Sequence, residues 1–449
     1  ELGEIRADNS DGTTGFNPYA NVSSFTIKNG LLQLTANTAA TVVQNRVDDD
    51  IPIFLQSGRI RLENASFNST NVVPWNEVLG AVTIVSGKAY IDMRDTSNAT
   101  GEHAITLGSL TRGAGTTLRL GGEGGVATEI GTSIRYRIMN LDLNGDGNVP
   151  FVGGWAYYNA EFLKYNDPNS GGFGYRALEA GDYAINTAET SWTGTQNIKI
   201  TTTATTTLTA DRTIQSLNII DATARTLTGN AGTTLTIESG GLLTSGGGHV
   251  ISVPFLTAGA SSNYELYDIA WGTNVISSVI KDNGANAVSL IKDGGGTTSF
   301  FGANTYTGTT YILEGQFRDV IGSNRVALGS GNLNIVGSPI GQGVYETDRD
   351  FTRALGTGAG QVQITGGTGS GFAAFGAPMD VNFGGSGASV VWGSATFNPG
   401  VFTLNGGNAT HVVNLVNDLD LGGEQRYIRL DGNASAGNRA VIGTISGDV

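Results

Sequence analysis

The chain has 449 residues, with 68 glycines, 9 prolines and no cysteine, and only 14% of it is charged. Glycine is about twice its usual ~7% share, charge falls well below the usual ~25%, and the missing thiols exclude disulfide scaffolds, Cys-ligated zinc, iron–sulfur clusters and cysteine nucleophiles. Acids outnumber bases 39 to 25, a net charge of −14, which argues against nucleic-acid binding and against docking to anionic lipid.

From the N-terminus onward the pattern is alternation over four to six residues, closed by a turn signal. Ser24-Phe25-Thr26-Ile27 runs into Asn29-Gly30, and Leu31-Leu32-Gln33-Leu34 follows. Arg59 to Leu62, Val82 to Val85 before Ser86-Gly87, and Ala89 to Met93 repeat the pattern. Farther on come Thr233 to Ile237 before Ser239-Gly240-Gly241, Leu333 to Ile335, Val362 to Ile364 and Tyr427 to Leu430. Period-two alternation rich in Thr, Val, Ile and aromatics predicts half-buried strands. Asn-Gly, Asp-Gly and Gly-Gly supply positive-φ corners between them. The chain is therefore expected to be all-β.

A sandwich or barrel would close after about 100–250 residues. A β-solenoid can lengthen without limit. Short, numerous strands, single-residue corners and units recurring every ~18–25 residues favour the solenoid. At about 22 residues per coil, about 20 coils at ~4.8 Å spacing predict a rod about 100 Å long. The clearest stretch is Thr195 to Gly247, where Ile and Leu are expected to stack inward and Thr to form ladders on the wall.

Between Phe151 and Trp192 the texture changes, with ten aromatics in 42 residues against 36 in the whole chain. This segment is read as an insertion or side module packed on the wall, and Tyr158 to Tyr165 as the one stretch with helical character. The expected division is 1–150 as N-terminal coils, 151–195 as the aromatic-rich module and 196–449 as C-terminal coils.

At 278–315 the residues become familiar. The chain reads Ser278-Val-Ile-Lys-Asp-Asn-Gly284, then Val288-Ser-Leu-Ile-Lys292-Asp-Gly-Gly-Gly-Thr297, then Gly302-Ala-Asn-Thr-Tyr-Thr-Gly-Thr-Thr-Tyr-Ile-Leu-Glu-Gly315. This resembles the autotransporter-associated β-strand repeat of bacterial surface proteins, whose pattern lxKxGxGTLxLxGxNTYTG marks successive coils of a right-handed β-helix. Asn304-Thr305-Tyr306-Thr307-Gly308-Thr309-Thr310 is the specific part. The chain departs at Thr298-Ser299-Phe300-Phe301 and at Gln316-Phe317, where in/out alternation is kept. Weaker likeness, at Val82 to Gly122 and from Gly153-Gly-Trp-Ala156 to Arg176-Ala-Leu178 and Tyr183, is to long repeat-bearing proteins of planctomycete-like bacteria. The resemblance implies a right-handed parallel β-helix, exported to the cell surface or beyond, with no catalytic residues to carry over.

Chemistry candidates are few. Asp142-Leu-Asn144-Gly-Asp146-Gly147-Asn148 opens like an EF-hand calcium loop, with oxygen ligands at alternate positions and Gly147 for the turn. Position twelve, however, is Gly153 where a bidentate Glu belongs. Asp142, Asn144, Asp146 and Asn148 thus stand either as calcium ligands or as an Asn/Asp/Gly turn. Asp48-Asp49-Asp50 reads as a solvated turn ahead of Ile51-Pro52. Asp418 and Asp420 share one side of a strand, as paired carboxylates of polysaccharide hydrolases and lyases must, but nothing nearby completes a site. His103, His249 and His411 have no metal-ligand spacing. Gly121-Gly-Glu-Gly-Gly125 opens no helix, so it is not expected to cradle phosphate. The aromatics of 151–192 either stack sugar rings or form a satellite core. Asn64, Asn98 and Asn408 head N-x-S/T triplets that a glycan could occupy.

No window approaches 18 consecutive apolar residues, so no bilayer-spanning helix is expected. Glu1 lacks a basic and apolar leader, which reads as a processed form or a segment of something longer. The functional expectation is an extracellular, non-enzymatic β-solenoid, structural or adhesive, in a filament, stalk or layer. Expected partners are other copies, further coils of a longer chain, or surface glycans; no cofactor is expected apart from the calcium alternative. The competing reading is a polysaccharide-binding or polysaccharide-degrading protein on the same scaffold.

Overall fold

The computed structural model describes residues 4–8, 22–36, 47–64, 75–95, 102–124, 130–132, 136–143, 147–319, 327–385, 388–431, 440–442 and 445–446. They are all-β, with short one-turn 3-10 segments, and the strands pair almost entirely in parallel. The chain divides into two compact units, 1–182 and 183–449.

In the first unit each pass of the chain lays down two strands. Phe25–Lys28, Ile53–Gln56, Trp75–Ser86, His103–Arg112 and Tyr136–Asn140 pair in chain order as one parallel run. Glu4–Asp8, Leu31–Ala36, Arg59–Asn64, Lys88–Asp95, Thr117–Gly124 and Ala156–Tyr158 form the other. The corners between them are tight, with Asn29 (φ 53°), Ser57 (φ 50°) and Gly87 (φ 71°) in left-handed conformations. Alternate residues face inward, so Leu32, Ile60, Ile91 and Leu120 form one aliphatic row and Ile53, Val82, Ile105 and Ile138 line the opposite run. Each such side chain, fully buried, contributes about 1.5–3 kcal/mol.

The two runs end as one sheet. After Ala156–Tyr158 the chain reverses at Asn159 (φ 51°) and Ala160 (φ 58°) into the antiparallel strand Glu161–Asn166. That strand also pairs with Gly174–Ala177, which joins the other run, giving thirteen strands in a single sheet. An antiparallel strand laid across parallel ladders covers an edge that would otherwise template further pairing. The stretch expected to be helical, Tyr158 to Tyr165, is thus a turn and a strand. Two consecutive left-handed residues make a two-residue hairpin turn, and the alternation that follows suits a strand.

In the second unit a pass lays down three strands. Asn197–Ile200, Thr205–Leu208 and Arg212–Ile214 are followed by Ser216–Asp221, Thr226–Gly229 and Thr234–Ile237, each in parallel with its predecessor. The first sheet grows to nine strands and the second to ten. The third has four, ending at Val279–Ile280, and another four-stranded ladder starts at Phe351–Thr352. The expected texture of 195–247 holds: Leu217, Ile219, Leu227 and Ile237 are buried, while Thr205 pairs beside Thr226 and Thr207 beside Thr228 on the outside. Paired residues lie farther apart in the chain than expected in many passes. Arg318 bonds Glu346 at a separation of 28 and Asn414 bonds Asp380 at 34, whereas Ser216 bonds Asn197 at 19, within the expected spacing.

The interior changes along this unit. Early passes hold mainly Ile and Leu; from Phe300 onward a row of aromatics joins the aliphatic side chains. Phe300 and Phe317 stack at 4.2 Å between centroids, and Tyr345, Phe351, Phe372, Phe383, Phe397 and Phe402 continue the chain of ring contacts. Phe300 and Phe317 lie in the two stretches that depart from the repeat pattern, Thr298 to Phe301 and Gln316-Phe317, and both are buried in the core.

Candidate functional site

The most informative chemistry surrounds the Asn304-Thr305-Tyr306-Thr307-Gly308 run. It crosses the region where the third sheet has stopped; Thr305 N and Gly308 N still donate to Ile280 O and Val288 O of the preceding pass, and side chains supply the remaining bonds. Asn304 accepts the amide of Ile280 at 2.8 Å and donates to Ala327 O at 2.6 Å, clamping the passes before and after. Tyr306 is buried, its hydroxyl 2.6 Å from Thr310 Oγ1. Thr307 donates through amide and hydroxyl to the Asp282 carboxylate, which also accepts Val288 N. A Cβ at Gly302 or Gly308 would sit against the carbonyls of Ser278 or Val288 on the preceding pass, so only glycine permits this spacing.

Lys292, in the strand Ser289–Asp293, is fully buried. Its ammonium donates to Asp293 O (2.8 Å), Gly294 O (3.0 Å) and Glu314 O (3.2 Å), tying the glycine corner to the next pass. Asp268 lies beside it in register, also inside. Neither oxygen of Asp268 has a hydrogen-bond partner, nor does Thr298 Oγ1. Burial holds the Asp268 carboxyl above the usual aspartate range, against the opposing charge of Lys292. An orphaned buried acid costs about 1–3 kcal/mol or more.

Several other buried charges are paired. Asp92 accepts Arg59 through both oxygens (2.7 and 2.6 Å) and Arg61 at 2.8 Å. Asp319 accepts the Tyr345 hydroxyl at 2.7 Å and Arg349 at 2.5 Å. Burial drives the Tyr345 phenol well above its usual value, with the Asp319 charge adding to it. Burial likewise raises Glu346, which Arg318 partly offsets through a 2.7 Å bond.

Among the described residues, those singled out in the sequence are not brought together. Asp142 and Asn148 are exposed, and Asn148 Oδ1 accepts Asp167 N at 2.9 Å. Asn144 and Asp146 lie outside the described residues. Among the described residues no group of three or more His, Cys, Asp or Glu is placed to hold a metal ion. Asp48, Asp49 and Asp50 are exposed in a turn. Asp418 and Asp420 flank buried Leu419 on the outer side of their strand, and Asp420 accepts Gly422 N at 2.9 Å. His249 is buried, its ring accepting Arg225 N at 3.1 Å and meeting Ser245 O at 3.0 Å, whereas His103 stacks on Tyr136 and His411 meets Thr410.

Seven of the ten aromatics between 151 and 192 are buried. Tyr165 and Tyr175 meet edge-on at 4.9 Å and share Asn140: Tyr165 donates to its carbonyl, and the Asn140 amide donates to the Tyr175 hydroxyl. Burial pushes the Tyr175 phenol up to about 12. That packing fits a satellite core. Of the glycan candidates, Asn408 is exposed, with its amide donating to Thr297 Oγ1 at 3.1 Å, and Asn98 lies outside the described residues. No helix among the described residues is long and apolar enough to cross a membrane.

Sequence reading missed the Asp268–Lys292–Thr298 cluster. Its only signal is that Lys292 and Asp268 occupy the inward phase of their strands, which becomes visible once the register is known.

Comparison with protein-family models, curated proteins and solved structures gave no match.

Proposed function

We propose that the chain is a right-handed β-solenoid serving as a structural or adhesive element outside the cell, in a filament, stalk or layer, without catalysis. The carrying observation is the commitment of its polar side chains. In the repeat-like run, the side chains of Asn304, Asp282 and Lys292 all bond backbone of neighbouring passes, and the Thr307 hydroxyl bonds the Asp282 carboxylate. Groups spent on holding passes together belong to a scaffold, whereas a reactive site leaves acids and bases converging on open space. The resemblance of 278–315 to the autotransporter-associated repeat supports both the handedness and the surface location. The acidic, cysteine-free composition agrees with a reading in which neither nucleic acid nor a thiol cofactor takes part.

The mechanism is geometric. Stacked passes present Thr-rich walls outside and apolar rows inside, and pairing with further coils or another copy is the route to longer assemblies. Negative-stain imaging of the purified chain is expected to show elongated particles. Glycan-array and reducing-sugar assays are expected to stay silent; turnover of a polysaccharide would replace this reading with the enzymatic one. Calcium titration by calorimetry decides the loop at 142–148, with heats lost in Asp142→Ala if the ion binds there and no heats if it is a turn.

A further inference from the structure

Four Asn-Gly pairs occur in the chain, at 29–30, 144–145, 283–284 and 405–406. An asparagine side chain followed by glycine is open to attack by the next backbone nitrogen, because glycine has no Cβ to block the approach. Folding decides which pairs can react. Asn29 is 4% exposed, in a corner between two strands. Asn405 is fully buried, its carboxamide held at both ends by Ala374 N (3.0 Å) and His411 O (2.8 Å). Asn144-Gly145 lies outside the described residues.

Asn283-Gly284 differs on every count. Asn283 and Asn286 exchange backbone bonds at 3.0 and 3.1 Å, closing a two-residue turn with Gly284 at φ 62° and Ala285 outside the positive-φ region. This is the type II′ arrangement, in which the first central residue points its N–H away from the turn's own bonds. Gly284 is exposed, and its amide donates to no protein group among the described residues. The Asn283 side chain is half-buried, with one bond, Nδ2 to Ala258 O at 3.0 Å. Nothing lies within 4 Å of where a Gly284 Cβ would be, so the turn has room to rearrange.

We propose that Asn283-Gly284 is a site of spontaneous covalent modification, converting selectively from amide to acid in the folded chain. The Gly284 nitrogen, its proton taken by solvent base, attacks Cγ of Asn283. The new C–N bond closes a five-membered imide, the Cγ–Nδ2 bond breaks, and nitrogen leaves as ammonia after taking a proton from water. Water then opens the imide at either carbonyl, leaving aspartate or isoaspartate; no oxidant or reductant is required. The product sets a second carboxylate beside Asp282, the acid that holds Thr307 and Val288.

The test is peptide mapping by mass spectrometry of the folded chain aged at mildly alkaline pH, with a denatured sample in parallel. The mass gain of amide-to-acid conversion is expected at Asn283 several-fold faster than at Asn29 or Asn405, with isoaspartate in the product. In denaturant the three rates converge, and Gly284→Ala slows the folded-state reaction several-fold at position 283 alone. Conversion of Asn29 or Asn405 as fast as Asn283 in the folded chain overturns the proposal. So does an unaltered Asn283 in the aged folded chain, whatever the denatured sample does.

Discussion

Asp268 and Lys292 occupy neighbouring positions of one inward row, yet they are satisfied very differently. The lysine spends its protons on backbone carbonyls, and the carboxylate has no hydrogen bond. Because burial raises the Asp268 pKa in the folded state, the folded chain holds a proton that the unfolded chain has released. Stability is therefore full below the ordinary aspartate range and falls as pH rises toward the folded-state value. Urea midpoints measured from acid to neutral pH are expected to decline in the parent and to flatten in Asp268→Asn, with the variant the more stable of the two at neutral pH. Lys292→Met leaves buried carbonyls without a donor and is expected to cost about 3 kcal/mol in the same assay. Charge placement of this kind was not legible beforehand, since a Lys in a strand reads as outward until its phase against Leu290 is known.

Turns and strands were more accessible, with one instructive exception. Gly- and Asn-marked corners at Asn29, Gly87 and Gly240 emerged where alternation stopped, because positive φ selects those residues. Ala160 carries no such mark, and its left-handed conformation hid the hairpin at 158–161. Ala160→Gly is expected to raise stability by about 0.5–1 kcal/mol, read as a higher denaturation midpoint, by removing the Cβ strain. At the other extreme stands Asn304, whose side chain replaces two ladder bonds. Asn304→Ala is expected to cost about 2 kcal/mol, and Asn304→Asp, which keeps the acceptor but loses the donor to Ala327, about half of that.

Across the molecule each of the two units has its own apolar core, built from ladders between residues one pass apart. Such assemblies transmit perturbation mainly to nearest neighbours. Hydrogen exchange of Lys292→Met is accordingly expected to lose protection over roughly 265–320, while 25–120 exchanges as in the parent; uniform loss over both would contradict the separation into units. By itself the sequence determined the class of structure: strand length, alternation and glycine corners are local properties, and they dictate an all-β chain whose strands are buried on one side. Tertiary structure alone decided how many strands make a pass, two in one unit and three in most passes of the other, and where an antiparallel strand ties two runs together. Those choices depend on which residues meet across long and varied separations, Asn197 with Ser216 in one ladder and Leu118 with Ala156 in another, and period-two alternation is blind to register, because every in-phase pairing presents the same face to the core.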